Sequence, residues 1–237
     1  MKSLKSIIAG VLVAASTTLP LLPQKTQAED LPKPYVSTTF ASAFVSPSGA
    51  AIEERCRQDW ASISTKGLTF GIWQNQFKGE EGISERDYCL SYSRPIASNL
   101  TANVGVQYWD YPNRRFGNFD SVETAGLDYS GKVDVSLGYT HLNQNSVTEN
   151  GERVYLKLSK PIKLVDGKTK VSITPSLATA WLDNYYGHNG HSQVSAGLSL
   201  GISKGKWGLN AAGTMQKAIA SDIQNLNWGT VSLDYQF

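Results

Sequence analysis

Two histidines stand three residues apart in Tyr186-Gly187-His188-Asn189-Gly190-His191 and could offer imidazoles to a metal. Structural zinc usually takes four protein ligands and catalytic zinc three. Only Asp183 lies near enough in sequence to help, so no metal and no cofactor is expected, and the segment reads as a solvated loop. A hydrolase built on His141 would need a serine beside it and an Asn or Asp to orient it. Ser136 alternates to the opposite strand face from His141, Ser146 falls in a loop, and no G-x-S-x-G occurs. Glu53-Glu54 and Glu80-Glu81 read as loop charges. No catalytic group is expected.

Charge placed along a strand is the remaining chemistry. By parity Arg153, Tyr155 and Lys157 share one face, with Val154, Leu156 and Leu158 on the other. Lys132 and Asp134 share the polar face of the strand before it, and Asp234 and Gln236 that of the last strand. A cationic row in a low-dielectric wall attracts anions. The alternative is that the row pairs with Asp128 or Asp134 and plugs the space. Cys56 and Cys89 are expected to form one disulfide, because an exported chain meets oxidising conditions. Their strands are two places apart, about 10 Å, and a bridge needs Cα atoms within about 7 Å. The pairing therefore requires Cys56 to sit in a loop end.

These residues belong to strands. Val194, Ala196, Leu198, Leu200 and Ile202 alternate with Ser195, Gly197, Ser199, Gly201 and Ser203. Similar alternation occurs over 100–108, 132–142 and 230–237, and no stretch after Glu29 keeps helical periodicity over three turns. Twelve strands are predicted: 35–45, 56–64, 68–77, 85–95, 100–110, 119–129, 132–142, 152–162, 169–182, 192–203, 207–218 and 227–237. Segments of about ten alternating residues suit a tilted strand crossing a bilayer. Five short turns alternate with six longer loops at about 46–55, 78–84, 111–118, 143–151, 183–191 and 219–226. That alternation through an even strand count is the outer-membrane barrel pattern, with short turns on the periplasmic side.

Only 18% of the 237 residues are charged, against about 25% in soluble domains. A secreted β-sandwich would present many Lys and Glu to water, whereas here the polar face over 192–203 is Gly and Ser. Residues 1–28 read as a signal peptide: Lys2 and Lys5, then an apolar run over 7–15, then Thr26-Gln27-Ala28. Lys2, Lys5 and Lys25 fall within it, so the 22 basic residues become 19 against 20 acidic. A near-neutral chain carries no footprint for nucleic acid. Tyr35, Trp109, Tyr111, Tyr129, Tyr139, Trp181, Tyr185, Tyr186, Trp207, Trp228 and Tyr235 lie near strand ends, where an aromatic belt is expected.

The chain ends Leu233-Asp234-Tyr235-Gln236-Phe237, and the outward Tyr235 and Phe237 resemble the C-terminal signal of bacterial outer-membrane barrels. Val36-Ser37, Ser48-Gly49, Gln58 and Gly67-Leu68-Thr69-Phe70-Gly71-Ile72-Trp73-Gln74-Asn75 resemble the start of a family of small proteobacterial outer-membrane porin-like proteins. Phe40-Ala41-Ser42-Ala43-Phe44 departs from that family's aromatic-Arg-Gly element. The resemblance implies a porin-like barrel and supplies no catalytic residues. The expectation is an all-β chain: a single antiparallel up-and-down transmembrane β-barrel of about 12 strands over residues 29–237. It would sit in outer-membrane lipid, meet the barrel assembly machinery, and pass small polar solutes by diffusion. The alternative is a closed structural or surface-binding barrel acting through its extracellular loops.

Overall fold

The computed structural model describes residues 32–52, 55–79, 82–112, 120–144 and 150–237. The signal peptide expected at 1–28, Glu53, Glu54, Glu80, Glu81, Ser146 and most of the 111–118 loop lie outside them. The described elements are all β. They run β1 (Lys33–Ala41), β2 (Phe44–Val45), β3 (Ala51–Ile52), β4 (Cys56–Thr65), β5 (Leu68–Phe77), β6 (Glu85–Ala97), β7 (Leu100–Asp110) and β8 (Asp120–Tyr129). Then follow β9 (Asp134–Gln144), β10 (Gly151–Ser159), β11 (Ile162–Asp166), β12 (Thr169–Tyr185), β13 (His188–Lys204), β14 (Trp207–Ala218) and β15 (Leu226–Gln236).

Twelve of these strands close a barrel. The hydrogen-bonded order is β10-β9-β8-β7-β6-β5-β4-β1-β15-β14-β13-β12, and β12 returns to β10. All pairings are antiparallel. The first and last strands meet at Tyr35↔Gln236 through Ala41↔Thr230. β11 carries on the line of β10 after the break at Lys160-Pro161, pairing with the foot of β12. β2 and β3 form a small hairpin inside the first loop.

Closure follows from solvation. An unpaired backbone N–H or C=O in hydrocarbon costs several kcal/mol, so a spanning sheet has no edge. Parity then sorts the side chains. Met215 is 64% exposed, Leu198 57% and Leu233 51%, and Phe70, Val104, Leu177 and Leu209 are exposed on the same outer surface. An exposed apolar surface running round the whole barrel is a lipid-facing belt rather than a core.

The aromatic belt is narrower than the sequence suggested. Tyr129, Trp181 and Trp207 do stand outward and exposed. Tyr35, Trp109, Tyr111 and Tyr185 are buried instead, packed inside the barrel. Inward parity places them there. The 183–191 segment is not a loop. β12 and β13, 17 residues each, continue upward as one hairpin, turning at Tyr186-Gly187 with Asn184 and Tyr186 at positive φ. Leu182 and Tyr185 bury inward on that extension, which is why the strand persists.

Candidate functional site

The lumen has two storeys. In the half nearer the short turns the wall is made of small polar side chains. Ser172, Thr174 and Ser176 on β12 face Ser195, Gly197, Ser199 and Gly201 on β13, then Asn210 and Thr214 on β14, then Thr230 and Ser232 on β15. All are only partly buried, so this half encloses space rather than packing. Gly197 keeps the wall thin, since a Cβ there would lie 2.9 Å from Ser176 Oγ. Tyr35 Oη donates to Asp234 Oδ1 at 3.1 Å near the turn end of the same surface.

The loop half is filled. Trp109, Tyr111, Val122, Leu142, Leu182 and Tyr185 form one apolar cluster, with Leu142 and Tyr185 fully buried. Ala41, Cys56 and Phe77 form another, against which Phe44 packs. Between them lies the first loop, folded inward. Ser192 Oγ donates to Ser48 O at 2.5 Å, and Gln216 Nε2 donates to Gly49 O at 2.8 Å and Gln224 O at 3.0 Å. Gly49 has φ +92°, and a Cβ there would strike the Gln193 side chain, so this contact requires glycine. Pro47 closes a void of about 10 Å³ with Gln107, Trp109, Val122, Thr124, Thr140 and Tyr185. That volume suits about one water.

The charged row divides between the storeys. Arg153 and Tyr155 are buried, with the guanidinium carbon 4.8 Å from the Tyr155 ring centre. That distance is in the cation–π range. The Tyr155 ring occupies the space over Gly138, where a Cβ would lie 2.1 Å from Cε1. Lys157, Ser136 and Asp128 stand in one register row across β10, β9 and β8. Asn103 Nδ2 donates to Asp128 Oδ2 at 2.5 Å. The register sets Asp128 two strands from Lys157, with Ser136 between them.

The other expected lumen residues sit elsewhere. Lys132 is exposed in the turn before β9 and lines nothing, because the strand starts two residues later than expected. Asp134 spends its carboxylate on that turn, accepting from Gly131 N at 3.1 Å. Gln236 is exposed at the turn-end rim. Two inward acids were not foreseen: Glu85 and Asp87 on β6 are both buried, and Asp87 Oδ1 has no partner among the described residues. Their signal was parity, since Leu90 and Tyr92 on the same strand stand outward.

The expected disulfide is absent: Cys56 and Cys89 are free. On the strand between them Cys56 pairs with Phe77 and Cys89 with Gly71. Six residues of β5 separate those levels, roughly 20 Å at about 3.3 Å per residue, and Cys56 lies in the ladder rather than in a loop end. His191 stacks on Trp181 at 4.9 Å and its Nε2 lies 2.5 Å from Thr179 Oγ1. His188 Nδ1 donates to Asp222 in the last loop and holds that carboxyl below the usual carboxylate range. Among the described residues no three His, Cys, Asp or Glu side chains are grouped to hold a metal.

At the turn end Tyr235 packs edge-on against Trp207 at 4.6 Å and against Phe237 at 4.7 Å. With Val36, Thr38 and Leu233 they border a groove of about 300 Å³ beside the seam.

No protein-family model matches the chain, and no curated protein matches it. Solved structures do. The KdgM porin superposes with TM-score 0.60 at 10% identity, covering 86% of this chain and 99% of that one. An outer membrane channel from Pseudomonas putida F1 gives 0.53 at 11%, covering 91% and 99%. The translocator domain of the autotransporter NalP from Neisseria meningitidis gives 0.53 at 13%, covering 91% of each chain. At these identities the likeness is one of fold. The closed twelve-stranded barrel, its apolar girdle and these neighbours together make the chain a β-barrel of the bacterial outer-membrane kind.

Proposed function

We propose that the barrel is a porin-like pore for small polar solutes and that its first loop closes it at rest. The observation that carries this reading is the turn-half wall of Ser, Gly, Thr and Asn, which is partly exposed inside a closed sheet. A barrel needed only as a scaffold gains nothing from such space, since interiors otherwise pack to organic-crystal density. Passage would require the loop held by Ser192 and Gln216 to move. Export by residues 1–28 and recognition of Tyr235 and Phe237 by the assembly machinery belong to the same reading.

Planar-bilayer conductance of the refolded protein tests it, with and without residues 43–52. Conductance that rises when the loop is removed supports a gated pore. A barrel that stays silent in both forms at every voltage refutes it. The packed loop half supports a second reading, a closed barrel working through its outer loops. Loss of surface attachment on loop deletion, with conductance still absent, would favour that one.

A further inference from the structure

Two tryptophans stand side by side on neighbouring strands inside the barrel. Trp60 on β4 pairs with Trp73 on β5, and both point inward. The Trp60 ring lies over Gly71. A Cβ at that glycine would fall within 3 Å of three atoms of the six-membered ring, the nearest at 2.1 Å. The ring therefore fills the space that a side chain at Gly71 would take, and Trp60 itself is only half-buried. Trp60 Nε1 donates to Ser62 Oγ at 3.1 Å, which fixes the orientation. Toward the mouth the aromatic surface continues with Trp73 and Phe77, and there a ring already sits on it. Phe44 of the first loop lies 6.3 Å from Trp73 at 39° and 5.9 Å from Phe77 at 84°. Both are ordinary aromatic pair geometries.

We propose that Trp60, Trp73 and Phe77 form a binding site for a solute with one flat, ring-sized apolar face and polar edges, which Phe44 occupies as the chain's own stand-in. This rests on the porin-like reading only for how the solute arrives. Phe44 suits the part because it is exchangeable: its strand is two residues long and pairs with another of two. A solute ring that replaces it recovers the same contacts, while its polar edges meet Ser62 and Gln58 on the inward face of β4. Phe44 and the solute compete, so the site is open only when the loop is out.

The test is tryptophan fluorescence of the refolded full chain titrated with 4-nitrobenzyl alcohol, a planar solute that quenches indole on contact. The Phe44→Ala barrel should show saturable quenching, with apparent affinity at least tenfold tighter than the unsubstituted chain. Adding Trp60→Ala should reduce the saturable amplitude. Quenching that is linear in concentration and equal in both proteins overturns the site. Heat-modifiable migration on a detergent gel reports folding. Should Phe44→Ala fail it, Phe44→Leu removes the ring but keeps apolar bulk, and equal linear quenching there also overturns the proposal. Methyl β-glucoside as competitor separates a saccharide face, which would displace the probe, from an aromatic one, which would not. Conductance without saturable quenching sinks the site and spares the pore. Saturable quenching in a silent barrel does the reverse.

Discussion

Gln216→Ala should open the mouth. Gln216 is nearly buried, and its amide donates to Gly49 O at 2.8 Å and to Gln224 O at 3.0 Å. One side chain therefore ties the first loop and the last loop to β14. A typical intramolecular hydrogen bond is worth about 1 kcal/mol net, and a buried carbonyl left without a donor costs about 1–3 kcal/mol. Losing both bonds removes at least roughly 2 kcal/mol from the closed state. In the open state both carbonyls meet water, so that state is little changed. At about 1.4 kcal/mol per tenfold, the closed-to-open ratio falls about thirty-fold. Single-channel recording of open probability in planar bilayers reads this directly, with the Gln216→Glu variant as a size control. An open probability that Gln216→Ala leaves unchanged, in a barrel that conducts, would refute the view that the inward-folded loop is the closure.

Gly138→Ala should destabilise the folded barrel by about 1–3 kcal/mol, because its Cβ would lie 2.1 Å from the Tyr155 ring; the heat-modifiable gel shift would move to lower temperature. Leu142→Ala, at a fully buried site in the lumen cluster, should cost about 2–5 kcal/mol in urea unfolding from detergent or liposomes, the range for a core leucine. The Asp222 carboxyl is held below its ordinary value by His188, so its contribution is present above about pH 4 and lost as pH falls below that. Proteolysis of the 219–225 loop should therefore rise on acidification below pH 4, and Asp222→Asn should abolish that dependence. Thiol labelling of the unfolded chain should find two reactive cysteines with or without reductant, since Cys56 and Cys89 stand apart; labelling only after reduction would contradict the register of β4, β5 and β6.

Strands were legible because lipid imposes their pattern locally. Along 192–203 every second residue must be apolar, and β13 accordingly spans that stretch. Strand ends were read to within a few residues at most positions, since Gly, Asn and Lys turns punctuate the chain. What was hidden depends on contacts distant in sequence. Ser48 meets Ser192 and Gly49 meets Gln216, 144 and 167 positions away. Nothing in Ser46-Pro47-Ser48-Gly49 distinguishes an inward fold from an outward loop. The same reason applies to Trp109 and Tyr185: placement near a strand end fits an interface, and parity combined with the loop-half packing sends them inside. The 183–191 hairpin was missed because Asn and Gly resemble loop residues, while Leu182 and Tyr185, which extend it, find partners on other strands. The charged row was half legible. Parity put Arg153, Tyr155 and Lys157 on one face of β10, yet only the register of β8 through β10 sets Ser136 between Lys157 and Asp128.

The seam between β1 and β15 joins Tyr35 to Gln236, which lie 201 positions apart in sequence. Loop-closure entropy makes such a junction the slowest kind of contact to form. Until the final strand has been delivered, both borders of the nascent sheet carry open backbone groups that hydrocarbon will not tolerate. Biogenesis must therefore shelter an incomplete sheet until its last residues are in place, and a truncation that removes only Leu233 to Phe237 would strand the molecule at that stage.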